Sequence, residues 1–220
     1  MTNVYATPEK VTMKNALFSA AITALEQDGW KVERVAGSGK SSVRRITKGT
    51  VSKTISIRTT QDRSIAFPRT AGDKGWRTLD EVDAVVAAAV DDRWNPKFAN
   101  IHLLDGDEMR DRFNRTYAAR KAADHVIPVG RGVWLSLYST ESNSPVHLVG
   151  AGAGLAHPPF AKVPLDADRM TAPSDDDAPD EDGLVQASTV NEVMAVARER
   201  LASLLGVATS AIKLELKVEY

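Results

Sequence analysis

The chain has 220 residues, 43% hydrophobic and 26% charged, with no cysteine and a formal net charge of −1. That is enough apolar material for a packed core, so global disorder is excluded, and zero cysteine excludes disulfides, thiolate metal sites, iron–sulfur clusters and cysteine nucleophiles. No run approaches the roughly 18 apolar residues of a membrane span, and the opening MTNVYATPEKVTMKN lacks a basic-then-apolar signal pattern, so a cytoplasmic protein with no membrane partner is expected.

Residues 12–28 put Met13, Leu17, Ala20, Ala21, Ala24 and Leu25 on one helical face, with Thr12 as a cap and Gly29 as a stop. The period then changes to two. Residues 30–35, 42–47, 51–59 and 63–69 read as four strands, joined by turns at 37–39, 48–50 and 61–62, and connections this short imply an antiparallel meander. A turn at 78–81 followed by a strand over 82–90 fits the nearly continuous apolar run that stops at Asp91 and Asp92. Residues 100–104 form the next strand, and Asp105 with Glu108 resembles a capping box opening a helix to about residue 123. That helix should bury Met109, Phe113 and Tyr117, with Arg115 opposite and Arg110, Arg112 and Lys121 flanking. Arg120 returns to the buried stripe, where its stem packs and its guanidinium reaches water or a carboxylate. Strands are expected at 133–138 and 146–149, and a Gly/Pro-rich loop at 150–159. Residues 172–183 (APSDDDAPDEDG) read as an acidic linker or loop, followed by a helix over 189–205 and an alternating strand over 212–220. The organisation expected is an α/β domain over 1–163, a linker over 164–183 and a helix–strand element over 184–220.

The near-zero charge conceals a polarity. Residues 1–70 carry 12 Lys and Arg against 5 Asp and Glu, residues 71–163 carry 11 against 12, and residues 164–220 carry 5 against 12, giving +7, −1 and −7. A basic first segment suits a phosphate-binding surface, since Lys and Arg that displace condensed counterions supply sequence-independent affinity for nucleic acid.

Familiar catalytic motifs fail on context. Gly37-Ser38-Gly39-Lys40-Ser41 resembles the tail of a phosphate-binding loop, but Arg34 stands where the first glycine belongs and a strand follows instead of a helix. Gly150, Gly152 and Gly154 are likewise a weak dinucleotide signal. His102, His125, His147 and His157 have no paired metal spacing, and no GxSxG elbow is present.

The order helix, strand, glycine turn, strand, strand, strand pair and arginine-rich helix resembles the restriction-endonuclease-like fold of the PD-(D/E)XK nuclease superfamily, over roughly residues 12–138. The fold expected is therefore a mixed central sheet flanked by helices, with a small C-terminal helix–strand appendage. The resemblance implies a helix glutamate, a second-strand aspartate and a third-strand acid-x-lysine gathered around magnesium. Glu26 matches the first, but the second strand carries Arg44 and Arg45, and the third carries Ser56 and Arg58 at the motif positions. Ile55 and Ile57 face the core, which puts Ser56 and Arg58 together on the other face. Serine supplies no negative charge and arginine stays protonated, so cleavage and a bound metal are not expected.

The expected function is binding of nucleic-acid backbone, DNA favoured over RNA, through Lys40, Arg44, Arg45, Lys48, Lys53, Arg58 and Arg63, with no cofactor. The first alternative is an active magnesium-dependent nuclease with acids from other positions, such as Glu26, Glu33 or Asp62. The second is an interaction module whose C-terminal element docks a partner or a second copy, as in a homodimer. Against all of these stands the plain alternative that the arginines are outward-facing strand residues and Glu26 an exposed helix position.

Overall fold

The computed structural model describes residues 7–35, 42–127, 130–165 and 212–214. The chain divides into two compact units, Met1–Asp180 and Glu181–Tyr220. The turn at 37–39, the acidic stretch 172–183, the helix expected at 189–205 and the strand expected at 212–220, except for 212–214, lie outside the described residues.

The first unit is α/β with a mixed sheet. Helix α1 spans Pro8–Gln27 and starts earlier than Thr12: Thr7 accepts from the Lys10 amide and Pro8 occupies the first turn, where a missing N–H costs nothing. The Thr12 hydroxyl instead donates back to the Pro8 carbonyl at 2.8 Å. Strands β1 (Lys31–Arg34), β2 (Val43–Lys48) and β3 (Val51–Thr60) form the expected antiparallel meander. The fourth strand, β4 (Ser64–Pro68), does not extend it. Thr60 Oγ1 accepts from the Ser64 amide and donates to Asp62, Arg63 takes a left-handed φ of 66°, and the chain turns out of the sheet. The next neighbour of β3 is β5 (Ala84–Val90), paired in parallel with Ile55 opposite Ala84.

Strand β6 (Phe98–Asp105) returns antiparallel to β5, and the helix that follows, α2 (Gly106–Ala122), is capped by Asp105, whose side chain accepts from the Asp107 and Glu108 amides. Strand β7 (Gly132–Ser136) pairs with β4 as a separate two-stranded ribbon. The strand expected at 146–149 is a 3-10 turn, Val146–Leu148, and the loop expected at 150–159 contains a one-turn helix, α3 (Ala153–Ala156). An unanticipated strand, β8 (Ala161–Pro164), closes the far edge, a position that tolerates proline. The six-stranded order is β1-β2-β3-β5-β6-β8.

Period-two alternation sends side chains to two different cores. On one face Ile55, Ile57, Ala84, Val86, Ala88, Val90 and Ile101 meet Leu17, Ala20, Ala21, Ala24 and Leu25 of α1. On the other Val43, Val85, Ala87, Ala89 and Leu104 meet Met109 and Phe113 of α2, the ribbon residues Ile65, Phe67, Val133 and Leu135, and Trp76. Phe113 anchors this second core, with Phe67 and Trp76 each at 5.3 Å centroid separation. Tyr117 is only half-buried; Thr116 is the buried residue of the last turns.

Two arginines of α2 hold segments that have no ladder of their own. Arg110 donates to the Leu79 and Val82 carbonyls, and Arg112 to those of Gly150 and Ala151. Arg120 donates to the Trp134 carbonyl of β7, a backbone acceptor where a carboxylate was one of the partners expected. Arg115 pairs with Asp111 and Glu141. Gly150 permits the approach of its loop, because a Cβ there would lie 2.5 Å from the Arg112 carbonyl oxygen, and its φ of 78° is left-handed.

Candidate nucleic-acid interface

Ser56 and Arg58 do share one face of β3, but that face is core. Ser56 is fully buried, and Arg58 is buried with its guanidinium 4.3 Å from the Phe67 ring centroid. Glu26 is exposed near the end of α1, the helix that packs on the Ile55 and Ile57 face. The sheet therefore lies between Glu26 and the other two motif positions. Of the alternative acids, Glu33 pairs with Lys31 at 2.7 Å and Asp62 accepts from Thr60. Among the described residues no three His, Asp or Glu side chains gather as a metal would require. The donor set, a buried hydroxyl beside a guanidinium, does not fit magnesium.

The predicted cations divide between the two faces. Arg44 is buried 5.2 Å from the Phe18 ring on the α1 side, and its Nη1 donates to the Val43 carbonyl, so the outward-facing alternative fails for it as it does for Arg58. Lys48, on the same side, pairs with Asp28 at 3.1 Å, and Lys53 is half-buried there. Arg45 is exposed on the opposite side, across from Glu33. Arg63, in the turn between β3 and β4, is half-buried 4.3 Å from the Tyr138 ring centroid, and its Nε is buried with no hydrogen-bond partner among the described residues. Lys40 lies outside the described residues.

The second core contains a polar seam. Register aligns Arg58, Ala87 and His102 across three strands, and in the next such row Thr60, Ala89 and Asn100. The His157 carbonyl, 2.7 Å from His102 Nδ1, can only accept, so Nδ1 carries the proton; Nε2 then accepts from the Tyr138 hydroxyl, also at 2.7 Å. Burial lowers the His102 pKa and keeps the ring neutral, consistent with that tautomer. Burial raises the Tyr138 pKa, opposed by its hydrogen bond with Asn100 and by the Arg63 charge. Both His102 nitrogens are spent on the protein itself, so the seam offers no free base and acts as a brace for the loop that carries His157. That loop is tied again by His157 Nε2 to Glu108 at 2.6 Å. Burial alone would raise the Glu108 pKa, but hydrogen bonds from Arg112 and His157, with their charges, hold the carboxyl below its ordinary range.

A different group of residues meets solvent. Beyond the carboxyl end of β5, the turn 91–97 is fixed by its own acids. Asp91 Oδ1 accepts from the amides of Asp92, Lys97 and Phe98, and Asp92 Oδ1 accepts from those of Trp94 and Asn95. Burial opposes ionisation of Asp91, but those amide bonds outweigh it and keep its pKa low. The turn presents Trp94 at 86% exposure, with the Arg93 guanidinium 5.2 Å from its ring centroid. Lys97 is exposed beside it, and Lys162 of the neighbouring β8 sits 4.5 Å from the Phe98 ring centroid. Sequence reasoning used Asp91 and Asp92 only as a strand stop; the missed signal was a tryptophan set between Arg93 and Lys97 in a short polar turn.

No protein family, no curated protein and no solved structure matches the chain.

Proposed function

We propose that the protein binds nucleic-acid backbone on a nuclease-like α/β scaffold and does not cleave it, with DNA favoured over RNA. The observation that carries this reading is the +7 balance of residues 1–70, with Arg45 and Lys48 exposed on β2, beside a third strand that has Ser56 where the motif needs an acid. Without acids gathered beside Ser56 and Arg58 the reading calls for phosphate binding and not cleavage, and because Arg44 and Arg58 are buried that binding would fall to the exposed cations of the segment. The order α1, three antiparallel strands, the β5–β6 pair and the arginine-rich α2 supports the scaffold assignment.

The test is a fluorescence-anisotropy titration of duplex and single-stranded DNA over a salt series, with a parallel assay of supercoiled plasmid in magnesium. The expected outcome is affinity that falls linearly on a log–log plot against salt, and intact plasmid. Absence of binding at low salt, or a flat response, overturns the binding reading. Magnesium-dependent nicking that disappears in Glu26→Ala overturns the non-cleaving one.

A further inference from the structure

We infer that the turn 91–97 is a stacking platform for single-stranded nucleic acid, with Trp94 receiving a base and Arg93, Lys97 and Lys162 receiving the flanking phosphates. This rests on the nucleic-acid reading above but assigns it to a surface other than the β2–β3 strands.

Three observations converge on this turn. The first is exposure: tryptophan is normally well buried, and Trp94, at 86% exposure, belongs to neither hydrophobic core. The second is rigidity. Two aspartates take up five backbone amides of residues 92–98, so the ring is held on a pre-formed support, and binding need not order the loop. The third is charge placement. Each carboxylate accepts from the loop's own amides, while Arg93 and Lys97 are exposed and Lys162 of β8 lies against Phe98, near enough to Asp91 to help hold it ionised. Arg93 lies against Trp94, and the ring remains otherwise open for a base to stack.

An aromatic face edged with cations is the arrangement by which single strands are held without sequence readout, because every base has a π-face and every linkage a charge. A duplex buries its bases in its own stack and offers this turn only phosphates. The expected ligand is therefore an unpaired strand, with little preference among bases.

The experiment titrates the full chain at low salt with a short oligothymidylate and with a duplex of equal length, reading both anisotropy and tryptophan emission. Quenching by the oligothymidylate is expected, and it should vanish in Trp94→Phe even though Trp30, Trp76 and Trp134 remain. Trp94→Ala should weaken oligothymidylate binding about tenfold and leave duplex binding within about twofold. Arg93→Gln and Lys97→Gln should each reduce the log–log salt slope for the single strand by about 0.7. If both DNAs bind but Trp94→Ala changes neither, the platform is overturned and the backbone-binding function stands. If neither DNA binds at low salt, the function itself fails and the platform with it. Concentration-dependent self-association that is lost in Trp94→Ala, without any quenching by DNA, would reassign the turn to a protein contact.

Discussion

The two faces of the six-stranded sheet are built on different principles. The α1 face is aliphatic, with alanines and leucines of one helix set on isoleucines, valines and alanines of five strands, and Arg44 against Phe18 as its buried charge. The opposite face carries aromatic rings, the Arg58 and His102 side chains, and arginines that reach backbone carbonyls. An aliphatic face is fixed by area alone, since burial is non-directional. The polar face requires specific partners, because a buried donor or acceptor that loses its partner incurs its full desolvation cost. Stability should therefore respond to volume on both faces and, on the polar one, to pairing as well.

The largest contrast is expected from truncating each core. Phe113→Ala, which removes the ring between Phe67 and Trp76, should cost about 4 kcal/mol in urea unfolding, and Leu25→Ala on the α1 face about 3 kcal/mol. A Leu25→Ala loss clearly exceeding that of Phe113→Ala would place the dominant core under α1. A sharper test keeps volume and deletes pairing. Tyr138→Phe leaves His102 Nε2 buried without its donor and should cost about 2 kcal/mol. In a double-mutant cycle with His102→Phe most of that cost should disappear, whereas additive losses would mean the contact contributes little. Thr116→Val is nearly isosteric and removes the hydroxyl within 2.6 Å of the Val149 carbonyl. It should cost about 1 kcal/mol, with faster amide exchange confined to the neighbouring loop.

The same contrast governs what could be read from the sequence. Helix α1 and strand β5 follow from periodicity, because each meets its partners with a continuous apolar pattern. The α2 start follows from Asp105, since a cap is a local interaction. Strand β4 was legible as a strand but not in its pairing: Thr60 and the left-handed Arg63 redirect it, and its partner β7 opens at Gly132, after β5, β6 and α2 have intervened. Alternation along β3 correctly placed Ser56 and Arg58 together, but which face α1 would cover is a tertiary choice, and that choice separates Glu26 from them. The Trp94 turn escaped for the opposite reason. Its importance lies in what it does not touch, and an aromatic residue in sequence does not announce its exposure.

The smallest effect, and the most specific to the polar face, concerns Asp73. Its carboxyl hydrogen-bonds Tyr117, and Lys121 and Arg69 reach it as well, with Arg69 lying 4.6 Å from the Trp76 ring centroid and 4.5 Å from that of Tyr117. The Tyr117 hydrogen bond is the largest influence; burial opposes it, the two cations assist it, and the carboxyl is lowered to about 2. Because the folded-state pKa lies below that of an unfolded aspartate, near 3.9, the contribution is complete above about pH 4. It is lost as pH falls toward about 2, where the folded carboxyl takes up its proton. In Asp73→Asn that part of the acid destabilisation should be absent, so the variant and the native chain should converge in stability as pH falls across this window. Tyr117→Phe should move the Asp73 carboxyl back toward its ordinary value in a carbon-detected NMR titration. An unmoved titration in Tyr117→Phe would assign the shift to Lys121 and Arg69, making this corner of the polar face depend on charge in place of the directed hydrogen bonding that distinguishes it from the α1 side.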